Sequence, residues 1–334
     1  MKERESQSGE RRILAIDGGG IKGLIPASLL AQVEEVTDEK IVDHFDLIVG
    51  TSTGGIIALG LGLGVPAPEI RDFYREHGPG IFGAARRGRR AFFDDILRRA
   101  ASIFSPKYTA KRLRAALESV FGDRTLGESK TRLVVPSFDP RCRAVYVFKT
   151  AHHARLQTDW REKVVDVALA TAAAPTYFPQ HSLRTGTALI DGGVWANNPV
   201  GLAVVEALGV LGWPRESLRV LSIGCSEVPT RLPENPGWLR LSPVLADLFL
   251  MGQSHGSLGT AKLLLASREK LLRIQPVVPA GMYELDSVEQ LEDLQGIGAS
   301  LARENLPRIR DEFLQFPRSE FSPLYGQIHT DGAT

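Results

Sequence analysis

The sequence predicts an α/β fold, a three-layer α/β/α sandwich around a mostly parallel central sheet. Three observations carry this. Short apolar runs that read as buried strands end in glycine-rich turns. Each turn leads into a stretch with helical spacing. The order strand, turn, helix then repeats within residues 13–65. Strands alternating with helices pair in parallel, because each crossover helix carries the chain back over the sheet.

Ile13-Leu14-Ala15-Ile16 is a buried strand stopped by Asp17 and a triple glycine. Pro26 sits where a first helical turn tolerates it, and Leu29, Leu30, Val33 and Val36 follow at helical spacing. Phe45 to Val49 is the second strand and runs into Gly50-Thr51-Ser52-Thr53-Gly54-Gly55, followed by a buried helix. A helix from about Thr109 has Leu113, Leu117, Val120 and Phe121 on one face, with Gly122 as its stop. Leu133 to Phe138 and Ala144 to Phe148 form a hairpin around Asp139-Pro140-Arg141. Val164 to Ala174 is an Ala-rich helix ended by Pro175, and Ala188 to Ile190 is a short strand entering Asp191-Gly192-Gly193. Val200 to Leu211 reads as helix and Leu218 to Ile223 as strand. The remainder is mostly helical, with one more strand near Leu271 to Ile274.

With 334 residues, 43% hydrophobic and 24% charged, the chain can build a large core. A net charge of +1 does not advertise binding to a nucleic-acid polymer, which needs a basic surplus to displace counterions. Cys142 and Cys225 are too few and too far apart for a disulfide framework or a thiolate zinc site. The sequence has no HExxH or EF-hand pattern, so no metal and no cofactor is expected. The charged start lacks the apolar core of a secretory signal, and no run is long enough to span a membrane. A cytoplasmic protein is expected. Residues 1–10 read as a disordered lead, 11–320 as one domain and 321–334 as a tail.

Gly50-x-Ser52-x-Gly54 between a strand and a helix is a nucleophile-elbow pattern, in which glycines relieve the crowding around a strained serine. The competing reading is a glycine turn with a capping serine. Gly18, Gly20 and Gly23 fit the dinucleotide fingerprint, but the acidic residue expected at the end of the second strand is missing. Asp43 and Asp46 precede that strand. Weight therefore shifts to an oxyanion hole, with main-chain N–H groups converging on a developing negative charge. Two bases compete for the serine. Asp191 is flanked by glycines that let a second chain approach. Among seven histidines, only His255 credibly completes a Ser-Asp-His order. Between residues 79 and 108, Arg86, Arg87, Arg89, Arg90, Arg98 and Arg99 lie among Phe82, Phe92, Phe93 and Phe104. This stretch reads as a lid or lipid-contacting surface, or as a solvated helix face interrupted by Asp94 and Asp95.

Across residues 13–225 the chain resembles the patatin-like phospholipase family. The resemblance rests on Asp17-Gly18-Gly19-Gly20-Ile21-Lys22-Gly23, Gly50-Thr51-Ser52-Thr53-Gly54-Gly55, Ala172-Ala173-Ala174-Pro175-Thr176-Tyr177-Phe178-Pro179 and Asp191-Gly192-Gly193, in that order. It implies a lipid acyl hydrolase, a carboxylic ester hydrolase with a Ser–Asp dyad and neither catalytic histidine nor calcium. Carried over, Ser52 is the nucleophile and Asp191 the base. The Gly18, Gly19 and Gly20 amides form the oxyanion hole. Lys22, Gly23, Gly50, Gly54, Gly192 and Gly193 support the motifs, and Lys22 stands where some members have arginine. Membrane phospholipids are the implied substrate, through peripheral contact. The length also resembles bacterial effectors of cyclic-nucleotide antiviral signalling, which leaves room for a cyclic-nucleotide activator and a homo-oligomer. The readings outside this resemblance are a Ser-Asp-His esterase using His255, a nucleotide-binding protein using Gly18–Gly23, and a pocket that binds without turnover.

Overall fold

The computed structural model describes residues 9–82, 107–227, 245–278 and 288–326. The chain begins with β1 (Arg11–Ile16), α1 (Leu24–Thr37), β2 (Leu47–Gly50), α2 (Thr53–Gly62) and α3 (Ala67–Phe82). It continues through α4 (Ala110–Phe121), β3 (Arg132–Asp139), β4 (Ala144–Lys149) and α5 (Val164–Thr171). Next come β5 (His181–Ser182), β6 (Ala188–Asp191), α6 (Gly193–Ala196), α7 (Val200–Gly209) and β7 (Leu218–Ile223). The last described elements are α8 (Leu245–Leu264), β8 (Leu271–Ile274) and α9 (Leu291–Phe313).

The strands form one sheet in the order β5-β6-β3-β2-β1-β7-β8, with β4 added on β3. β3, β2, β1, β7 and β8 are parallel to their neighbours, whereas β4 and β6 pair antiparallel with β3. The expected parallel sheet is thus present, with an antiparallel margin. Strand periodicity separates two cores. Leu14, Ile16 and Ile48 face a layer that includes Leu29 of α1, Ile57 of α2, Leu117 of α4, Val167 of α5 and Phe313 of α9. Ile13, Ala15, Leu47 and Val49 face the other way, onto Val200, Ala203 and Val204 of α7 and Ala261 of α8. This is the three-layer sandwich.

Several boundaries differ from the sequence reading by two or three residues, two of them for a visible reason. The apolar run starting at Phe45 enters its strand only at Leu47, because Phe45 stacks on Phe313 of α9 at 5.7 Å and lies in a helical layer. The Ala-rich helix stops at Thr171 rather than Ala174, and the carbonyl of Ala173 accepts the Asp191 N–H at 3.0 Å. A helix carbonyl taken by another segment is a natural end point. The hairpin forms as expected, and its turn is fastened by Asp139 Oδ1, which accepts from the N–H groups of Arg141 and Cys142.

The C-terminal region is built into the body. Arg12 donates to the carbonyl of Phe313 at the end of α9 and to those of Phe316 and Pro317 beyond it. The Leu324 N–H donates to Ala151 O at 2.8 Å. Asp46, fully buried before β2, accepts from the Arg12 N–H at 2.9 Å and pairs with Arg11. It is a knot at the N-terminal ends of the strands, away from the glycine turns at their C-terminal ends.

Candidate active site

Thr51 and Ser52 join β2 to α2, and Ser52 caps the helix. The Ser52 backbone sits at φ 54°, ψ −124°, outside the regions that L-residues favour. A Cβ on Gly50 would fall 2.0 Å from Gly54 O, and one on Gly54 would fall 2.3 Å from Ile16 O. Both positions need glycine for the turn to close against β1. The Ser52 N–H donates to Thr171 Oγ1 at 2.9 Å, and that hydroxyl donates onward to Pro136 O at 2.7 Å. The strained turn is therefore held from α5 and β3. Behind it, the first turn of α2 presents its amide ends toward the serine, a region of positive potential.

A change of neighbour along β3 delivers the carboxylate. One edge of β3 carries β4 from Val134 to Asp139. The other edge pairs with β2 only as far as Val134↔Val49, then with β6 at Ser137↔Asp191. Past the end of β2, the vacated edge is filled by a strand arriving from the opposite direction. Its last residue is Asp191. Ser52 lies three residues beyond Val49, as Ser137 does beyond Val134, so the two side chains meet. Ser52 Oγ donates to Asp191 Oδ2 at 2.7 Å. The other oxygen, Oδ1, accepts the Gly193 N–H at 2.6 Å. Gly192 permits the contact with β3, since a Cβ there would lie 2.3 Å from Pro136 O.

Asp191 is 5% exposed. Burial pushes its carboxyl up to about 6, against the opposing pull of the Ser52 and Gly193 hydrogen bonds. A carboxylate with that affinity for protons, touching a hydroxyl, can take the hydroxyl proton as the oxygen attacks.

The glycine loop closes the site above the serine. Thr53 Oγ1 donates to Gly20 O at 2.6 Å, and Gly20 adopts φ 58°. Asn197 grips Gly18 from both sides: its Nδ2 donates to Gly18 O at 3.3 Å and its carbonyl accepts the Gly18 N–H at 2.9 Å. The Gly18 amide is thereby occupied, which narrows the expected trio of donors. The N–H groups of Gly19 and Gly20 have no partner among the described residues. Lys22 is buried next to this loop, and burial lowers its ammonium. Gly23 packs directly on the Thr53 side chain.

His255 does not join the pair. It lies on α8 with its side chain 65% exposed, 3.7 Å from Glu227 Oε1, and neither Ser52 nor Asp191 hydrogen-bonds to it. Among the described residues no group of His, Cys, Asp and Glu could hold a metal ion. The Arg and Phe residues between 83 and 106 lie outside the described residues. Sequence reasoning did not single out Thr171 as the anchor of the elbow or Asn197 as the partner of Gly18. Thr171 immediately precedes the Ala172–Pro179 motif and Asn197 follows Asp191-Gly192-Gly193, but nothing in the chain shows which backbone they reach. Gln253 on α8 was also missed; it accepts the Asn197 N–H at 2.6 Å.

The model of the patatin-like phospholipase family matches residues 14–204, which contain every residue of this geometry except the α8 contact. The chain belongs to the patatin-like phospholipase family. It is 39% identical to a "cGAMP-activated phospholipase" of Pseudomonas aeruginosa over 64% of this chain and 61% of that one. A protein of the same name from Vibrio cholerae is 32% identical over 96% of this chain and 98% of its own length. "Patatin-like protein 1" of Oryza sativa is 36% identical over 61% of this chain and 53% of that protein. The chain thus spans less than two thirds of the Pseudomonas and rice proteins but nearly all of the Vibrio one. Patatin-like residues end before β7, so β7, β8, α8 and α9 lie outside the matched segment.

Proposed function

We propose that this patatin-like chain hydrolyses acyl esters of phospholipids through Ser52 and Asp191, by way of an acyl-enzyme. The observation that carries the reading is the 2.7 Å hydrogen bond from Ser52 Oγ to a buried carboxylate. Asp191 takes the serine proton as Oγ attacks the ester carbonyl. The tetrahedral oxyanion is met by the unengaged amides of Gly19 and Gly20, fixed in place before substrate arrives. The protonated Asp191 gives its proton to the leaving alcohol. Water then enters, Asp191 takes a proton from it as its oxygen attacks the acyl-serine, and Asp191 gives that proton to the departing Ser52 Oγ as the fatty acid is released. Burial suits Asp191 to both halves of this cycle, because it brings proton affinity close to neutral pH. No histidine is required.

No described helix is long and apolar enough to cross a membrane, which fits a bilayer substrate reached by peripheral contact. Alignment along almost the whole Vibrio relative supports a second element, activation by a cyclic dinucleotide. The test compares lipid products of the parental protein and Ser52→Ala, with and without cGAMP and a panel of related nucleotides. Free fatty acid and lysophospholipid should appear only with the parental protein, and more strongly with one nucleotide. Equal products from folded Ser52→Ala would overturn the assignment.

A further inference from the structure

Asp17, the last residue before the glycine loop, is 5% exposed and carries a carboxylate that the proposed chemistry does not use. Its backbone is tied to β7, with its N–H donating to Ile223 O at 3.0 Å, and its carbonyl accepts from Cys225 Sγ. Its side chain is held by Arg273 of β8, two strands away in the sheet. Arg273 Nη1 donates to Asp17 Oδ1 at 2.8 Å and Nη2 to Oδ2 at 2.5 Å, a two-pronged grip across 256 residues of chain. The guanidinium is itself aimed, since Nη1 also donates to Ser222 Oγ at 2.7 Å and Nη2 to Gln275 Oε1. Among the described residues its Nε is buried without a partner, so its polar contacts run through Nη1 and Nη2. The glycine loop is thus fastened at three points: Asp17 by Arg273, Gly18 by Asn197, and Gly20 by Thr53.

We propose that Arg273 is the positioning residue for the oxyanion loop, holding Asp17 so that the Gly19 and Gly20 amides stay aimed at the space above Ser52. This rests on the acyl-hydrolase reading and extends it to β8, outside the residues matched by the family model. Arg273 touches neither Ser52 nor Asp191, so it acts only through Asp17 and the loop. A pair needed solely for stability would alter unfolding and leave turnover per folded molecule intact. A pair that aims donors must alter kcat, because the amides act on the transition state and contribute little to holding the ester. Lysine keeps the charge but cannot grip both oxygens.

The test uses the full chain as Arg273→Lys and Arg273→Met, with active sites counted by a fluorophosphonate. The expected result is folded Arg273→Lys with unchanged KM and a kcat lowered by up to about 100-fold, short of the ~10²–10³ that follows outright loss of a donor. Hydrogen exchange should rise in the peptide covering Gly18–Gly23 and stay parental in α7. Arg273→Met should show the same pattern more strongly, and if it fails to fold, Arg273→Lys alone decides. Parental kcat in either folded variant, a change confined to KM, or faster exchange spread evenly over the sheet would each overturn the proposal. If the parental protein hydrolyses nothing, the functional reading fails separately, and the exchange pattern still judges the role of Arg273.

Discussion

Ser52 and Asp191, 139 residues apart in the chain, share a 2.7 Å hydrogen bond because β3 changes partners along its length. β2 stops at Gly50, and β6 takes over the same edge from the opposite direction. The contact is thus a property of sheet register, not of a flexible loop. Strand geometry sets such positions closely, which is what a proton-transfer pair requires.

The pH dependence follows from the burial of Asp191. In the proposed mechanism Asp191 works ionised, and burial pushes its carboxyl up to about 6. Ester hydrolysis should therefore be flat above about pH 7 and fall about tenfold per pH unit below about 6. Stability runs the other way. The folded carboxyl binds protons more tightly than the unfolded one, so the contribution is present at low pH and is lost as pH rises from about 4 to 6. Asp191→Asn removes the charge, keeps an oxygen to accept the Gly193 N–H, and presents an amide that donates to Ser52 Oγ instead of accepting from it. It should be inactive yet more stable than the parent at pH 8, by roughly 1–3 kcal/mol. Denaturant titrations at pH 8 and pH 4 check this, with the gain vanishing at the lower pH.

Backbone strain at Ser52 gives a second expectation. A non-glycine residue at φ 54°, ψ −124° costs on the order of 1–3 kcal/mol. Ser52→Ala keeps the strain and removes the hydroxyl, whereas Ser52→Gly removes both. Both should be inactive, and Ser52→Gly should be the more stable by about 1–2 kcal/mol after the entropy cost of glycine. Equal melting of the two variants would show a relaxed elbow.

Thr171 holds the elbow through two hydrogen bonds on one hydroxyl. Thr171→Val preserves shape and strands the Ser52 N–H and the Pro136 carbonyl. A loss of roughly 1–3 kcal/mol is expected, together with a fall in kcat, and Thr171→Ser should restore part of both. Chemical denaturation beside steady-state kinetics reads the two effects.

His255→Ala distinguishes a dyad from a triad. His255 is exposed and stands beside Glu227, so turnover should stay within about twofold of the parent. A triad histidine would instead cost about 10⁴-fold, the scale set by loss of a general base.

Much of this was legible before any coordinates. Ile13–Ile16 and the apolar run from Phe45 end in glycine turns, and the crowding that demands Gly50 and Gly54 is local, so motif and structure agree at the elbow. The antiparallel arrival of β6 was not legible, because the four residues of Ala188–Asp191 carry no mark of direction or partner. The Gly18 amide looked free in the sequence and is not, since its acceptor, the Asn197 carbonyl, is common to every residue type.

Chemical identity was therefore written locally: a serine between glycines, an aspartate before glycines, and a glycine loop after a strand, each dictated by sterics within a few residues. Which groups meet was decided by the sheet. β3 exchanges β2 for β6 to seat Asp191 on Ser52, and β8 brings Arg273 to Asp17 across β7. Such encounters arise from the packing of two cores and the pairing of distant strands, and these contacts gain their free energy only when the whole chain is assembled.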